Sequence, residues 1–316
     1  MRRSNSQLSD RIVVLDDGHR VGVSVGGRGV PLVLQHGVAM RRHTYAELSE
    51  RLLDMGFRVI AIDAPGHGET APLPPEDRSF AGMTALTVRT LDALGIQRAV
   101  FLGHSMGGRM TVELAARYPR RVLAAILVDA AAGAAMDAKA QRAHEAPGTI
   151  VWGLVAAFCD ATLEHVTLRG KRHLRYARLI AWSALETLRR PGEPLWALRA
   201  IAASSDSAEH LRTMAAHRVP TMVVHARHDM VVPWDSAVDM ARVAQGVLYE
   251  VPGAHHGWII ADPDRGAAMI AQLLEGQLGA ALRSAYHSEG HQGAEAWTAW
   301  TDALAPAAGA PRKRAT

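Results

Sequence analysis

A serine, an aspartate and a pair of histidines follow one another at spacings that could cleave a carbonyl compound. Ser105 sits in Gly103-His104-Ser105-Met106-Gly107. The apolar run Ala99-Val100-Phe101-Leu102 leads into this stretch, and a helix-periodic segment, residues 106–118, leads out of it and stops at Pro119. A serine on such a strand–turn–helix elbow is forced into an unfavourable backbone conformation with its hydroxyl exposed. Small residues are then needed two positions to either side, because a Cβ there would clash across the turn. The helix that follows aims its free N–H groups and positive end at any negative charge developing beside Ser105. A serine hydroxyl needs a base to take its proton, most often a histidine oriented by a carboxylate. In a doubly wound sheet these partners belong just past later strands. Asp229 follows the apolar run 221–224, and His255 and His256 follow the run ending near Val251. Asp229 is the expected acid, with Asp129, just past the apolar run Val122–Val128, as the runner-up. The position alone leaves both histidines open as the base.

The elements that must carry these residues alternate. Strands are expected at 12–15 and 21–25, joined by Asp16-Asp17-Gly18, then at 31–34, 57–62, 99–102, 122–128, 221–224 and 248–251. Helices are expected at 44–53, 83–94, 106–118 and 265–278. The glycines of Gly26-Gly27-Arg28-Gly29 are followed by a strand, not a helix, which removes the phosphate-loop reading. Strands alternating with helices make an α/β fold, a doubly wound and mostly parallel sheet covered on both faces. The strand rhythm stops between Ala130 and Arg218, where the chain is helical and rich in Ala, Leu, Trp and Arg. The expected organisation is a core at 8–130 and 219–280, an inserted helical cap at 131–218, and an extension at 281–316. In the extension residues 295–304 are expected as a short helix, and the basic, Ala/Pro-rich remainder is expected to be disordered.

Composition narrows the function classes. With 48% hydrophobic and 21% charged residues, 316 residues make an ordinary globular chain. A net charge of +4, without a basic stripe interleaved with aromatics, argues against nucleic acid as a partner. The basic N-terminus lacks the apolar run of a secretory signal, and the longest apolar stretches, 122–128 and 150–159, are too short to span a bilayer. One cysteine excludes an internal disulfide. The expectation is a cytoplasmic protein without integral membrane association. Cys159, beside an apolar run, is expected as a packed thiol.

Taken together, these motifs make the chain similar to serine hydrolases of the α/β-hydrolase fold. The order Ser, Asp, His is the order found in that family. Gln35-His36-Gly37-Val38 resembles the family's His-Gly-x oxyanion loop, and residues 63–68, Asp-Ala-Pro-Gly-His-Gly, its Asp-x-x-Gly-x-Gly turn. His256 lies seven residues before Pro263, the family's spacing, so the resemblance selects His256 over His255 as the base. It also implies the backbone N–H groups of Val38 and Met106 as the oxyanion hole. Three positions depart from the family: Ala226 and His255 stand where glycine is common, and Gln35 where an apolar residue is common.

The implied activity is hydrolysis of a carboxylic ester of a largely apolar small molecule, with no cofactor and no metal. His36, Trp152, Trp182 and Trp196 are the expected substrate contacts, with Phe158 and Met136 as further candidates to line an apolar pocket; packing within the cap is the alternative for each aromatic. Arg172, Arg175 and Arg178, at helical spacing, are either a solvated face or a site for an acidic carrier. Asp63 is expected to form a turn. A zinc site at His287 and His291 is disfavoured by Gly290, and His225 and His228 are expected as surface histidines beside Asp229 rather than metal ligands. Thioester or amide cleavage, carbon–carbon bond hydrolysis and a cofactor-free haloperoxidase or perhydrolase activity use the same scaffold. A ligand receptor that turns over little is the non-enzymatic alternative. Epoxide hydrolases and dehalogenases carry aspartate at the elbow, and Ser105 argues against them.

Overall fold

Four fully buried strands form the middle of an eight-stranded sheet: β3 (Pro31–Gln35), β5 (Ala99–His104), β6 (Val122–Val128) and β7 (Thr221–Ala226). With β1 (Ser9–Val14), β2 (Arg20–Gly26), β4 (Arg58–Ile62) and β8 (Val247–Val251) the order is β1-β2-β4-β3-β5-β6-β7-β8. Pairing is antiparallel for β1 with β2 and β2 with β4, and parallel thereafter. A parallel strand covered on both faces must be apolar along its whole length, which is why these strands read as continuous apolar runs. The computed structural model describes residues 8–304 apart from 147, 149, 169, 191 and 204–206. The side chain of Trp152 lies outside the described residues.

Two apolar cores flank the sheet. One gathers α2 (Phe80–Ala93), α3 (Met106–Arg117), α8 (Ser207–Ala216) and α9 (Trp234–Val243) through Met83, Met110, Leu211 and Met240. The other gathers α1 (Ala46–Asp54), α10 (Trp258–Ala261), α11 (Pro263–Glu275) and α12 (Gln277–Ser288) through Leu48, Trp258, Ile270 and Leu282. β3 lies between β4 and β5, so the strand order reverses there. At such a reversal the loops leaving neighbouring strands splay apart and open a crevice at their carboxyl ends.

Between β6 and α8 the chain forms α4 (Ala134–Glu145), α5 (Ile150–Thr167), α6 (Lys171–Arg189) and α7 (Gly192–Ala203). α8 packs on α3 and α9 as part of the core, so the helical insertion ends earlier than residue 218. The expected boundary at residue 281 is also displaced, because α12 runs across it. Its Leu278, Leu282 and Tyr286 recur every fourth residue and are buried. α13 (Ala294–Leu304) follows, and the Leu304 carbonyl accepts a bond from the Gln97 N–H at 2.8 Å. The tail expected to be disordered, 305–316, lies outside the described residues. Among the described residues no helix is long and apolar enough to cross a membrane.

Candidate active site

The turn between β5 and α3 places Ser105 at φ 56°, ψ −117°, in the left-handed region that disfavours any side chain. Its surroundings enforce the strain. The Ser105 N–H donates to the Val128 carbonyl at 3.0 Å, and its own carbonyl accepts from Ala131 at 3.0 Å, so the elbow is stitched to the end of β6. A Cβ on Gly103 would run into the Gly107 carbonyl, and one on Gly107 into the Gln35 carbonyl. Only glycine lets α3 lie this close to β3. Gln35, unusual in sequence, is accommodated in the core: its side-chain carbonyl accepts from the Thr111 hydroxyl at 2.7 Å.

The loop after β3 meets this elbow. A Cβ on Gly37 would stand 3.3 Å from the Ser105 Cβ. Ala39 turns the loop at φ 58°. Among the described residues no side chain or loop carbonyl accepts from the N–H groups of Val38 or Met106, which leaves both free to meet an oxygen.

Asp229 and His256 form a pair, with Nδ1 of the ring 2.7 Å from Oδ2 of the buried carboxylate. The other carboxylate oxygen accepts from the N–H groups of Val231 at 2.7 Å and Val232 at 2.8 Å. Burial acts to raise the Asp229 pKa, but the His256 ring and its hydrogen bond outweigh it and hold the carboxyl below the ordinary 3.8. Burial likewise acts against protonating His256, yet Asp229, with Asp129 and Asp160 beyond it, pushes its pKa up to about 9. His255 turns elsewhere, its Nδ1 3.1 Å from the His228 carbonyl. The structure thus separates two histidines that position alone left open.

His104, the residue before Ser105, joins the three loops. Its Nε2 donates to the His256 carbonyl at 2.9 Å, and its Nδ1 accepts from the Tyr45 hydroxyl at 2.7 Å. That hydroxyl in turn accepts from the Gly37 N–H at 3.4 Å. Burial first, with the His256 charge adding to it, drives the His104 pKa down to about 3, so the ring stays neutral and keeps this donor–acceptor polarity. Among the described residues no hydrogen bond joins Ser105 Oγ to His256 Nε2; such contacts are often loose until substrate binds.

Several expectations are corrected. His36 is buried, its Nδ1 donating to the Gly37 carbonyl at 2.7 Å and its Nε2 accepting from the Ala64 N–H at 2.8 Å. Neither ring nitrogen is left for a substrate. Trp196 is buried against Glu193, whose carboxylate accepts from its indole N–H at 2.8 Å. Trp182 is not excluded in this way: it is half-buried, with the Arg41 guanidinium 3.3 Å above its ring. Phe158 is 74% exposed. Cys159 is partly exposed instead of packed. His225 is fully buried, not at the surface, its Nε2 3.1 Å from the Val232 carbonyl. Arg172 and Arg178 are exposed, as a solvated face requires, and the stripe is also tied down by ion pairs: Arg172 pairs with Asp262 and Asp264, and Arg175 with Glu47 and the carbonyls of Ile260 and Ala261. Asp63 does shape its turn, and also pairs with the buried Arg42.

Two cap residues were missed. Asp160 accepts from the N–H groups of Met230 and His256, and Glu164 from that of His255. The available signal was a carboxylate at the end of an otherwise apolar helical run, which demands a polar partner once buried.

Among the described residues, Asp129, His225 and Asp229 bring ligand atoms within 4.8 Å of one another. Their capacity is largely used. Asp129 accepts from the Ala226 N–H and the Trp258 indole at 2.7 Å each, and Asp229 is saturated by His256 and two amides. Burial, reinforced by the Asp229 charge, pushes the Asp129 pKa well above its ordinary value. The cluster is a poor cation site and Asp129 a poor orienter of His256.

The α/β hydrolase fold family matches residues 30–262. A "Putative non-heme haloperoxidase" of Mycobacterium phage D29 is 41% identical over 270 residues, covering 84% of this chain and 95% of the relative. A hydrolase from Pseudomonas aeruginosa PA01 superposes with a TM-score of 0.67 at 21% identity, covering 86% of this chain and 100% of that one. An esterase from Exiguobacterium antarcticum superposes with a TM-score of 0.66 at 18% identity, covering 85% and 100%.

Proposed function

The chain belongs to the α/β-hydrolase fold family, and from that premise we propose that it hydrolyses carboxylic esters of largely apolar small molecules through Ser105. The observation that carries the reading is the His256–Asp229 contact of 2.7 Å, on a base loop whose carbonyl is bonded to the residue next to Ser105. Ser105 Oγ attacks the ester carbonyl while His256 Nε2 takes its proton. The resulting oxyanion is met by the N–H groups of Val38 and Met106. Asp229 keeps the remaining imidazole hydrogen on Nδ1 and stabilises the imidazolium. Collapse of the tetrahedral species passes the proton to the leaving alcohol and forms an acyl-serine. Water, activated by the same histidine, then releases the acid.

A fluorophosphonate probe, which forms a stable adduct only with an activated serine, tests this reading together with turnover of p-nitrophenyl esters of graded length. Labelling and turnover are expected in the natural chain, and both vanish in Ser105→Ala. Labelling that survives this substitution overturns the assignment. Comparing esters with thioesters of equal acyl length separates the two substrate classes.

The relative from the phage supports a second reaction of the same intermediate. Hydrogen peroxide in place of water would convert the acyl-serine to a peracid and free serine. The peracid would then oxidise halide to hypohalous acid and return the carboxylic acid. Bromination of a phenol that requires peroxide, bromide and a carboxylic acid together, and is lost in Ser105→Ala, is the expected result. Halogenation that persists in Ser105→Ala would assign it to another part of the chain.

A further inference from the structure

We propose that Asp160, on the cap helix α5, is the positioning residue of the His256–Asp229 pair, one carboxylate that fixes the backbones of both loops at once. Its Oδ1 accepts from the Met230 N–H at 2.8 Å and its Oδ2 from the His256 N–H at 2.8 Å. These donors lie 70 and 96 residues away in sequence, one beside the acid and one on the base itself. One helical turn further on, Glu164 accepts from the His255 N–H at 3.0 Å. A single face of α5 therefore meets both loops, which are also joined to each other by the His228 N–H donating to the Ala254 carbonyl at 3.0 Å. The distance from His256 Nδ1 to Asp229 Oδ2 depends on where both backbones stand, and Asp160 holds one end of each.

The choice of residue argues for this role. Asp160 is 2% exposed, and among the described residues no lysine or arginine pairs with it. Burying a carboxylate without a cation is costly, and an apolar side chain would fasten α5 to the core without that cost. What an apolar side chain lacks is two acceptors set a fixed distance apart, matched to two amides. The groups facing Asp160 are His255 and His256 from the loop after β8, Asp229 from the loop after β7, Glu164 on its own helix, and the Tyr176 hydroxyl from α6. Those facing His256 are Asp229, Asp129, Asp160, His104 and His225. Burial raises the Asp160 pKa, and its two amide bonds and His256 work against this rise. While ionised, it adds to the negative field that stabilises the imidazolium.

The inference rests on the hydrolytic reading of the pair, so its test includes measurements that need no turnover. In the natural chain, hydrogen exchange at the Met230 and His256 amides should be slow and alike, and rapid exchange at either overturns the proposal. Asp160→Asn keeps the size, removes the charge and sets an NH₂ group against one of the two amides. It should lower kcat by about ten- to a hundredfold, the scale of a small misplacement of reacting groups, with KM nearly unchanged. The titration of His256, followed by NMR, and the midpoint of kcat/KM against pH should both move to lower pH. Asp160→Glu, which restores charge but displaces the carboxylate by a methylene, should bring the midpoint back without restoring kcat. An Asn variant with normal kcat overturns the proposal. So does a lowered kcat with an unmoved His256 titration, which marks a packing role alone. Fluorophosphonate labelling of the natural chain reads the hydrolytic premise separately, and the exchange result stands whichever way that labelling falls.

Discussion

Ser105 is confined chiefly by close contact within the core, whereas its two partners rely on hydrogen bonds that the cap shares with the core. The core confines Ser105 by contact: strand, elbow and helix are consecutive in sequence, and Gly103 and Gly107 let the backbone pack where no Cβ fits. The cap holds Asp229 and His256 by hydrogen bonds, through Asp160 and also through Lys139 of α4, whose ammonium donates to the Val231 carbonyl at 2.6 Å. Steric confinement of this kind fails abruptly, because a misplaced atom disturbs a close-packed interior. Polar fastening fails by degrees, one amide at a time. Cap residues thus reach the two loops that carry Asp229 and His256.

The sharpest way to break that contrast is at the two adjacent histidines. His256→Ala should lower kcat on an activated ester by about 10³-fold or more, leaving binding and the oxyanion N–H groups to supply the rest. His255→Ala keeps the main-chain bond to Glu164 and loses only the ring's contacts with Asp160 and the His228 carbonyl, so it should lose little. The reverse ranking would mean that the pair is misread by one residue. In the natural chain kcat/KM should rise with pH through a midpoint above the ordinary 6.5, because the base must be neutral and its neighbours push it up to about 9. A midpoint below 6.5 would show that the negative field around the ring is absent.

A second variant examines the steric side. Gly107→Ala drives a methyl group into the Gln35 carbonyl and should destabilise the fold by about 1–3 kcal/mol, read as a lowered denaturation midpoint. Unchanged stability would show that α3 can move aside and that the elbow is not sterically locked. The smallest effect is expected on the outer face of the cap. Phe158→Ser removes an exposed ring and should change stability by no more than about 0.5 kcal/mol, with kcat unaltered. A larger change would reveal that this face of α5 has a partner.

The same contrast governs what could be read from the chain alone. The elbow was legible because every part of it lies within a few residues: an apolar run, two glycines at fixed spacing and a helical period. The central strands were legible because burial on both faces leaves an unbroken apolar run. Asp229 could be placed at the end of a strand without knowing what it touched. His256 could not be told from His255 by position, since neighbouring residues after a strand differ only in direction, and family resemblance supplied the preference. Asp160 and Glu164 were beyond reach for a different reason. A carboxylate in an apolar helix announces that it needs partners, but nothing local says that they are amides 70 or 96 residues away. His36 misled because a histidine beside a loop looks available, and only the fold shows both nitrogens turned to the backbone. The helix crossing residue 281 was missed because Gly276 interrupts the period, although the buried face resumes at Leu278.

The position of the cap within the chain has a consequence for biosynthesis. A growing polypeptide folds from its N-terminal end as it emerges, and here the order of emergence is Ser105, cap, Asp229, His256. Asp160 is complete before either amide it accepts from has been made. A ribosome-bound chain halted after α8 would hold Ser105 and the cap, yet have neither Asp229 nor His256 with which to act. The pair that would act on the serine is thus assembled only after both the elbow and the cap have been made.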